Sequence, residues 1–175
     1  MKNKGFTIIE LVIAIFILSV AVIGIYNSFS TMVILTSGAS DRLTAAYLAQ
    51  EGMEIVRNIR DTNWLNGFSW YDGLSGCDNG CMGDYKTTGA VESGLAPYID
   101  NDYLKIDADG FYNQTFGTET RFRRKITITF IEDPEGPSYI AKVSVQVFWD
   151  QKPTILNPDG EEGVIEAEEN LYNWY

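Results

Sequence analysis

The chain has 175 residues, enough for one ordinary domain plus a modest extension, and at 45% hydrophobic and 21% charged it is neither globally disordered nor a multi-span membrane protein. Lys and Arg number 13 against 24 Asp and Glu, a formal charge of -11, which argues against direct nucleic-acid binding because phosphate contacts need clustered positive charge. Histidine is absent, which removes Ser-His-Asp and Cys-His catalysis and His-ligated metal sites, and two cysteines are too few for a disulfide-built scaffold.

The apolar residues pile up at the N-terminus. Lys2 and Lys4 precede a run in which Ser19 is the only polar side chain between Leu11 and Ile25. From Phe6 to Tyr26 a helix would be roughly 31 Å long, the thickness of a bilayer core. The lysines should stay on the cytoplasmic side and the remainder should face outward. A secretory signal peptide is the competing reading. Its apolar region is usually about 7–15 residues and ends in a small-residue cleavage site, which does not follow promptly here. Glu10 stands inside the apolar block, where a carboxylate costs on the order of 2.5–3.5 kcal/mol even on mild insertion scales.

The order Gly5-Phe6-Thr7-Ile8-Ile9-Glu10 followed by an apolar helix resembles the N-terminus of type IV pilins and type II secretion pseudopilins. The resemblance implies a leader ending at Gly5 that a prepilin peptidase removes on the cytoplasmic face. It implies N-methylation of Phe6, the new first residue, and an assembly role for Glu10, the fifth mature residue. Cleavage frees an amine on Phe6 that keeps its positive charge when methylated. A carboxylate four positions along can pair with that amine or with the same amine on a neighbouring subunit, and in low dielectric a matched pair is far less costly than a lone charge. On this reading Glu10 sets the axial register of subunits and does no catalysis. A signal anchor with a chance glutamate is the plainer alternative.

No proline occurs before Pro97, so residues 6–60 can form one helix of roughly 80 Å. Gly24, Gly38 and Gly52 are its weak points. Beyond residue 40, Leu43, Ala46, Ala49, Met53, Val56 and Ile59 recur at three- and four-residue steps and define an apolar stripe. Arg42, Gln50, Glu54, Arg57 and Asp61 lie mainly off it, with Glu54 and Arg57 spaced for a surface pair.

Residues 62–120 are rich in turn signals: Asn66-Gly67, Asp72-Gly73, Asn79-Gly80, Ala96-Pro97 and Asp109-Gly110. Short strands are expected at Tyr98–Ile99 and Phe111–Asn113. The many aromatic residues here either pack the loop onto a head or form exposed contact surface. Cys77 and Cys81 bracket a turn at C-x-x-x-C spacing, one residue longer than a redox CxxC. Export would permit a local disulfide, with free thiols or metal binding as the alternatives. Asp107-Ala108-Asp109-Gly110 opens like a calcium loop, but Phe111 and Thr118 occupy positions where an EF-hand needs ligands. A looser calcium site would use Asp100, Asp102, Asp107 or Asp109, and a solvated acidic turn is the plainer reading.

The last third alternates. Phe122, Ile126, Ile128 and Phe130 share one face, opposite Arg123, Lys125, Thr127 and Thr129, and Arg124 breaks the apolar face near its start. Ala141, Val143, Val145, Val147 and Trp149 alternate with Lys142, Ser144 and Gln146. Glu132–Pro137 between them reads as a hairpin loop, and Val164–Tyr172 as an edge strand. Periodicity therefore gives an α+β fold, a long N-terminal helix on a C-terminal antiparallel sheet, which is also the pilin fold. The expected divisions are a leader at 1–5, a membrane-spanning and polymerising half-helix at 6–28 and an amphipathic half at 29–61. A connecting region at 62–120 and a sheet at 121–175 complete them.

Within the family, Ala49–Asp61, Phe122–Ile126 and Leu171–Trp174 resemble PilV-type minor pilins. The resemblance implies a structural, non-enzymatic subunit of a pilus, secretion or DNA-uptake filament. Its implied partners are prepilin peptidase, other pilin or pseudopilin subunits, an inner-membrane assembly platform and the lipid bilayer. No cofactor is implied. The implied location is the cytoplasmic membrane, single-pass with the head outside, and then a periplasmic or surface filament. A membrane-anchored binding or adhesion domain that never polymerises is the second expectation.

Overall fold

In the computed structural model the described residues are 5, 7–87, 94–132, 139–151 and 160–173. Helix α1 runs from Ile8 to Leu65 without interruption. Two compact units divide at Ser40 and Asp41.

The first unit contains the N-terminal part of α1. Its large apolar side chains from Ile8 to Leu35 are exposed. Its hydroxyl residues turn back onto the helix: Ser19 donates to the Phe16 carbonyl at 2.8 Å, Ser28 to Gly24 at 2.9 Å and Thr36 to Met32 at 2.9 Å. Their donors are thus satisfied within the helix, as lipid surroundings require.

In the second unit the rest of α1 packs on an antiparallel sheet. The buried stripe is Ala45, Leu48, Ala49, Gly52, Met53, Ile55, Val56 and Ile59. This rotates the stripe slightly from the expected one. Leu43 is exposed and Ala46 half-buried, because the sheet meets the face centred on Ala45, Leu48 and Gly52. α1 ends where the sequence changes to Asn66-Gly67. The Phe68 amide donates to the Asn63 carbonyl at 2.9 Å and the Gly67 amide to Trp64 at 3.1 Å, with Gly67 at φ +73°. That left-handed stop favours glycine. The helix therefore passes the expected end at residue 61 by one turn.

The five-stranded sheet has the order β2-β1-β6-β7-β8, all antiparallel, with β1 at Cys81–Met82, β2 at Ala96–Pro97, β6 at Phe122–Glu132, β7 at Tyr139–Asp150 and β8 at Glu162–Leu171. Ile126, Ile128, Val143, Val145 and Val147 face α1 and are fully buried. Each such side chain contributes on the order of 1.5–3 kcal/mol relative to exposure. β8 and β2 form the two edges of the sheet. The β6–β7 register runs from Phe122 opposite Trp149 to Glu132 opposite Tyr139, so Glu132 of the expected hairpin loop belongs to β6, and residues 133–137 of that loop lie outside the described residues.

A second, three-stranded sheet lies within the expected connecting region, in the order β4-β3-β5, with β3 at Lys105–Ile106, β4 at Tyr112–Asn113 and β5 at Thr118–Glu119. β4 falls inside the expected strand at Phe111–Asn113. The strand expected at Tyr98–Ile99 lies instead two residues earlier. Ala96 and Pro97 pair with Met82 and Cys81, and the Tyr98 amide then donates to the Gly80 carbonyl at 3.1 Å. Trp70 is buried, whereas Phe68, Tyr71 and Tyr85 keep 40–49% of their surface exposed, so the loop aromatics divide between core and surface.

Arg124 interrupts the apolar face of β6 as the alternation implies, and the fold accommodates it there. It is wholly buried among the residues of that face. Its guanidinium donates to the Leu48 carbonyl at 3.0 Å and the Gly83 carbonyl at 2.7 Å, and Glu51 lies 3.4 Å away.

Candidate functional site

The N-terminal segment holds the residues expected to serve processing and assembly. Gly5 is exposed and outside the helix. Lys2, Lys4 and Phe6 lie outside the described residues. Thr7 sits immediately before α1 and Glu10 in its first turn.

Thr7 and Glu10 form a reciprocal cap. The Thr7 backbone amide donates to Glu10 Oε2 at 2.9 Å, and the Thr7 hydroxyl donates to the same oxygen at 2.8 Å. The Glu10 amide in turn approaches Thr7 Oγ1 at 3.4 Å. This is a capping box, which satisfies orphan amides at the start of a helix. The carboxylate also faces the positive end of the helix dipole. The T-x-x-E signature in Thr7-Ile8-Ile9-Glu10 was sufficient to foresee it. The sequence reading weighed Glu10 as a carboxylate in lipid and as a partner for the Phe6 amine, and missed its role in the helix start.

Glu10 is the only charged side chain between Thr7 and Ser40. Around it Ile8, Ile9, Leu11, Val12 and Ile13 are each more than half exposed. The helix is long and apolar enough to cross a membrane. A lone carboxylate at one end of an apolar rod can do two things chemically: complete the helix start, and pair with a cation brought alongside.

The other candidates lie in the second unit. Cys77 and Cys81 are joined by a disulfide, both buried, with Cα atoms 5.2 Å apart. The bond lies alongside β6: Cys81, in β1, pairs with Ile126, and the Ile128 amide donates to the Cys77 carbonyl at 3.2 Å. Asp107 organises its own loop. Its Oδ1 accepts from the amides of Phe111 at 2.9 Å and Asp109 at 3.0 Å, and its Oδ2 from the Tyr85 hydroxyl at 3.2 Å. These bonds, the Phe111 amide first, hold the Asp107 carboxyl below the usual carboxylate range. Asp109 is exposed on the same turn. Among the described residues no three His, Cys, Asp or Glu side chains are grouped to hold a metal ion.

No curated protein and no solved structure matches the chain. Residues 1–26 match the family described as the prokaryotic N-terminal methylation motif, and this match covers Gly5, Phe6, Thr7 and Glu10.

Proposed function

We propose that the chain is a minor structural subunit of a type IV pilus-like or type II secretion filament. Prepilin peptidase cleaves it after Gly5, Phe6 is N-methylated, and subunits assemble through α1. The carrying observation is the methylation motif at residues 1–26 on a helix whose apolar side chains stand exposed as far as Leu35. A single helix of this kind fits a bilayer before assembly and a bundle of like helices after it. The proposed partners are prepilin peptidase, other pilin or pseudopilin subunits, the inner-membrane assembly platform and the lipid bilayer. The subunit does no chemistry of its own. Its Glu10 pairs with the Phe6 amine of a neighbour and sets register.

The test is mass spectrometry of the N-terminal peptide from protein recovered from its native membrane. A peptide beginning at Phe6 with an added methyl is the expected result. A chain still beginning at Met1 beside an active prepilin peptidase overturns the reading.

The second reading is a membrane-anchored binding or adhesion domain that does not polymerise. The capping box favours it in one respect, because it gives Glu10 a partner inside its own chain. Glu10→Ala separates the two. Filament incorporation collapses under the first reading, whereas the second loses only a helix cap.

A further inference from the structure

We infer that Thr7 is a positioning residue for Glu10, holding one carboxylate oxygen so that the other is presented for pairing between subunits. The inference rests on the register role proposed above for Glu10. Both hydrogen bonds from Thr7, amide and hydroxyl, converge on Oε2. A carboxylate has two oxygens and about four lone-pair sites. With Oε2 saturated by its own helix start, the group is fixed in one rotamer, and Oε1 retains its full accepting capacity. An unanchored glutamate would lose rotamer freedom on pairing, a cost that adds to the desolvation of the pair. Thr7 removes it in advance. The arrangement also reconciles the two demands on Glu10, because the cap and the intermolecular pair use different oxygens.

Three substitutions test this in the full chain expressed with its native assembly machinery. Filament-incorporated subunit is measured per cleaved, methylated subunit, so that processing is scored separately. Thr7→Val removes the hydroxyl donor and should lower incorporation roughly five-fold, equivalent to about 1 kcal/mol at a capping position. Thr7→Ser keeps the hydroxyl and should restore it. Thr7→Asp still caps the helix amides but sets a second carboxylate beside Glu10, and should lower incorporation as Val does.

Incorporation by Thr7→Asp at the level of the unaltered chain would show that capping alone matters and overturn the inference. So would normal incorporation of Thr7→Val alongside failure of Glu10→Ala. Normal incorporation of Glu10→Ala removes the register role itself, a separate result from failure of the Thr7 arm.

Discussion

Arg124 and Glu51 meet in the buried seam between β6 and α1, with Arg124 Nη1 at 3.4 Å from Glu51 Oε1 and the Arg124 side chain wholly out of solvent. The carboxylate is a third exposed, so the pair is buried on one side only. Two backbone carbonyls, Leu48 on α1 and Gly83 after β1, lie closer to the guanidinium than Glu51 does. Arg124 therefore ties three elements together mainly through hydrogen bonds and secondarily through charge. Burial pushes its pKa down and Glu51 pushes it back up. An arginine stays protonated through such opposing effects.

Arg124→Leu should be among the most damaging single changes in the second unit. It leaves the Leu48 and Gly83 carbonyls without this donor and loosens Glu51, at about 3 kcal/mol. Glu51→Gln should cost only about 1 kcal/mol, because the guanidinium keeps both carbonyls. Thermal unfolding of the full chain in detergent checks the order. A larger loss for Glu51→Gln would make the ion pair dominant.

At Gly52, α1 lies close against the sheet. A Cβ there would lie 2.7 Å from Val145 Cγ1 and 3.0 Å from Arg124 Cδ. Both neighbours are fixed in the core, so Gly52→Ala should destabilise by about 1–3 kcal/mol through overpacking. Gly38 lies on the same helix with nothing within 4 Å of its Cβ position. Gly38→Ala should stabilise the isolated chain by up to about 1 kcal/mol. Opposite signs in paired melting curves are the expected result, and like signs would contradict the close seat at Gly52.

Sequence pattern carries the large elements and omits the contacts between them. The absence of proline before Pro97 made the long helix legible, and the alternation from Phe122 to Phe130 and Ala141 to Trp149 made the sheet legible. Periodicity locates a stripe to within a residue or two but not its exact rotation, which is why Leu43 was misplaced. Arg124 occupies an inward position by period 2 and looks like a fault, because its partners at Leu48, Glu51 and Gly83 are far away in sequence. β1 and β2 have two residues each and so carry no period, and only their pairing, β1 with β6 and β2 with β1, reveals them. At the N-terminus the motif residues were all legible. The cap between Thr7 and Glu10 was written there too, in a spacing that the charge argument overshadowed.

The Cys77–Cys81 disulfide closes a loop with a sequence separation of 4, so the entropic estimate of its contribution is about 2 kcal/mol. Both cysteines belong to the core, beside Ile126 and Ile128. Cys77→Ala with Cys81→Ala should lower the melting temperature by about 4–8 °C. The corresponding pair of serines should lower it further, because two hydroxyls would be placed in apolar surroundings. Equal shifts for the two pairs would mean that the loop opens once the bond is gone.

Asp107 gives the loop at residues 107–111 a defined pH response. Its folded carboxyl is held below the ordinary range, first by the Phe111 amide and then by the Tyr85 hydroxyl and the Asp109 amide. A depressed carboxylate contributes fully above its unfolded pKa, and the contribution is lost as pH falls through the lower folded value. Hydrogen-exchange protection of the Phe111 amide should therefore be flat near neutrality and fall only in strong acid. Asp107→Asn should give weaker protection without that acid step. Because both Asp107 oxygens already serve the loop, millimolar calcium should leave Phe111 protection unchanged. A calcium-dependent rise, abolished by Asp107→Asn, would instead make this carboxylate a ligand and place Asp109 beside it as the next residue to substitute.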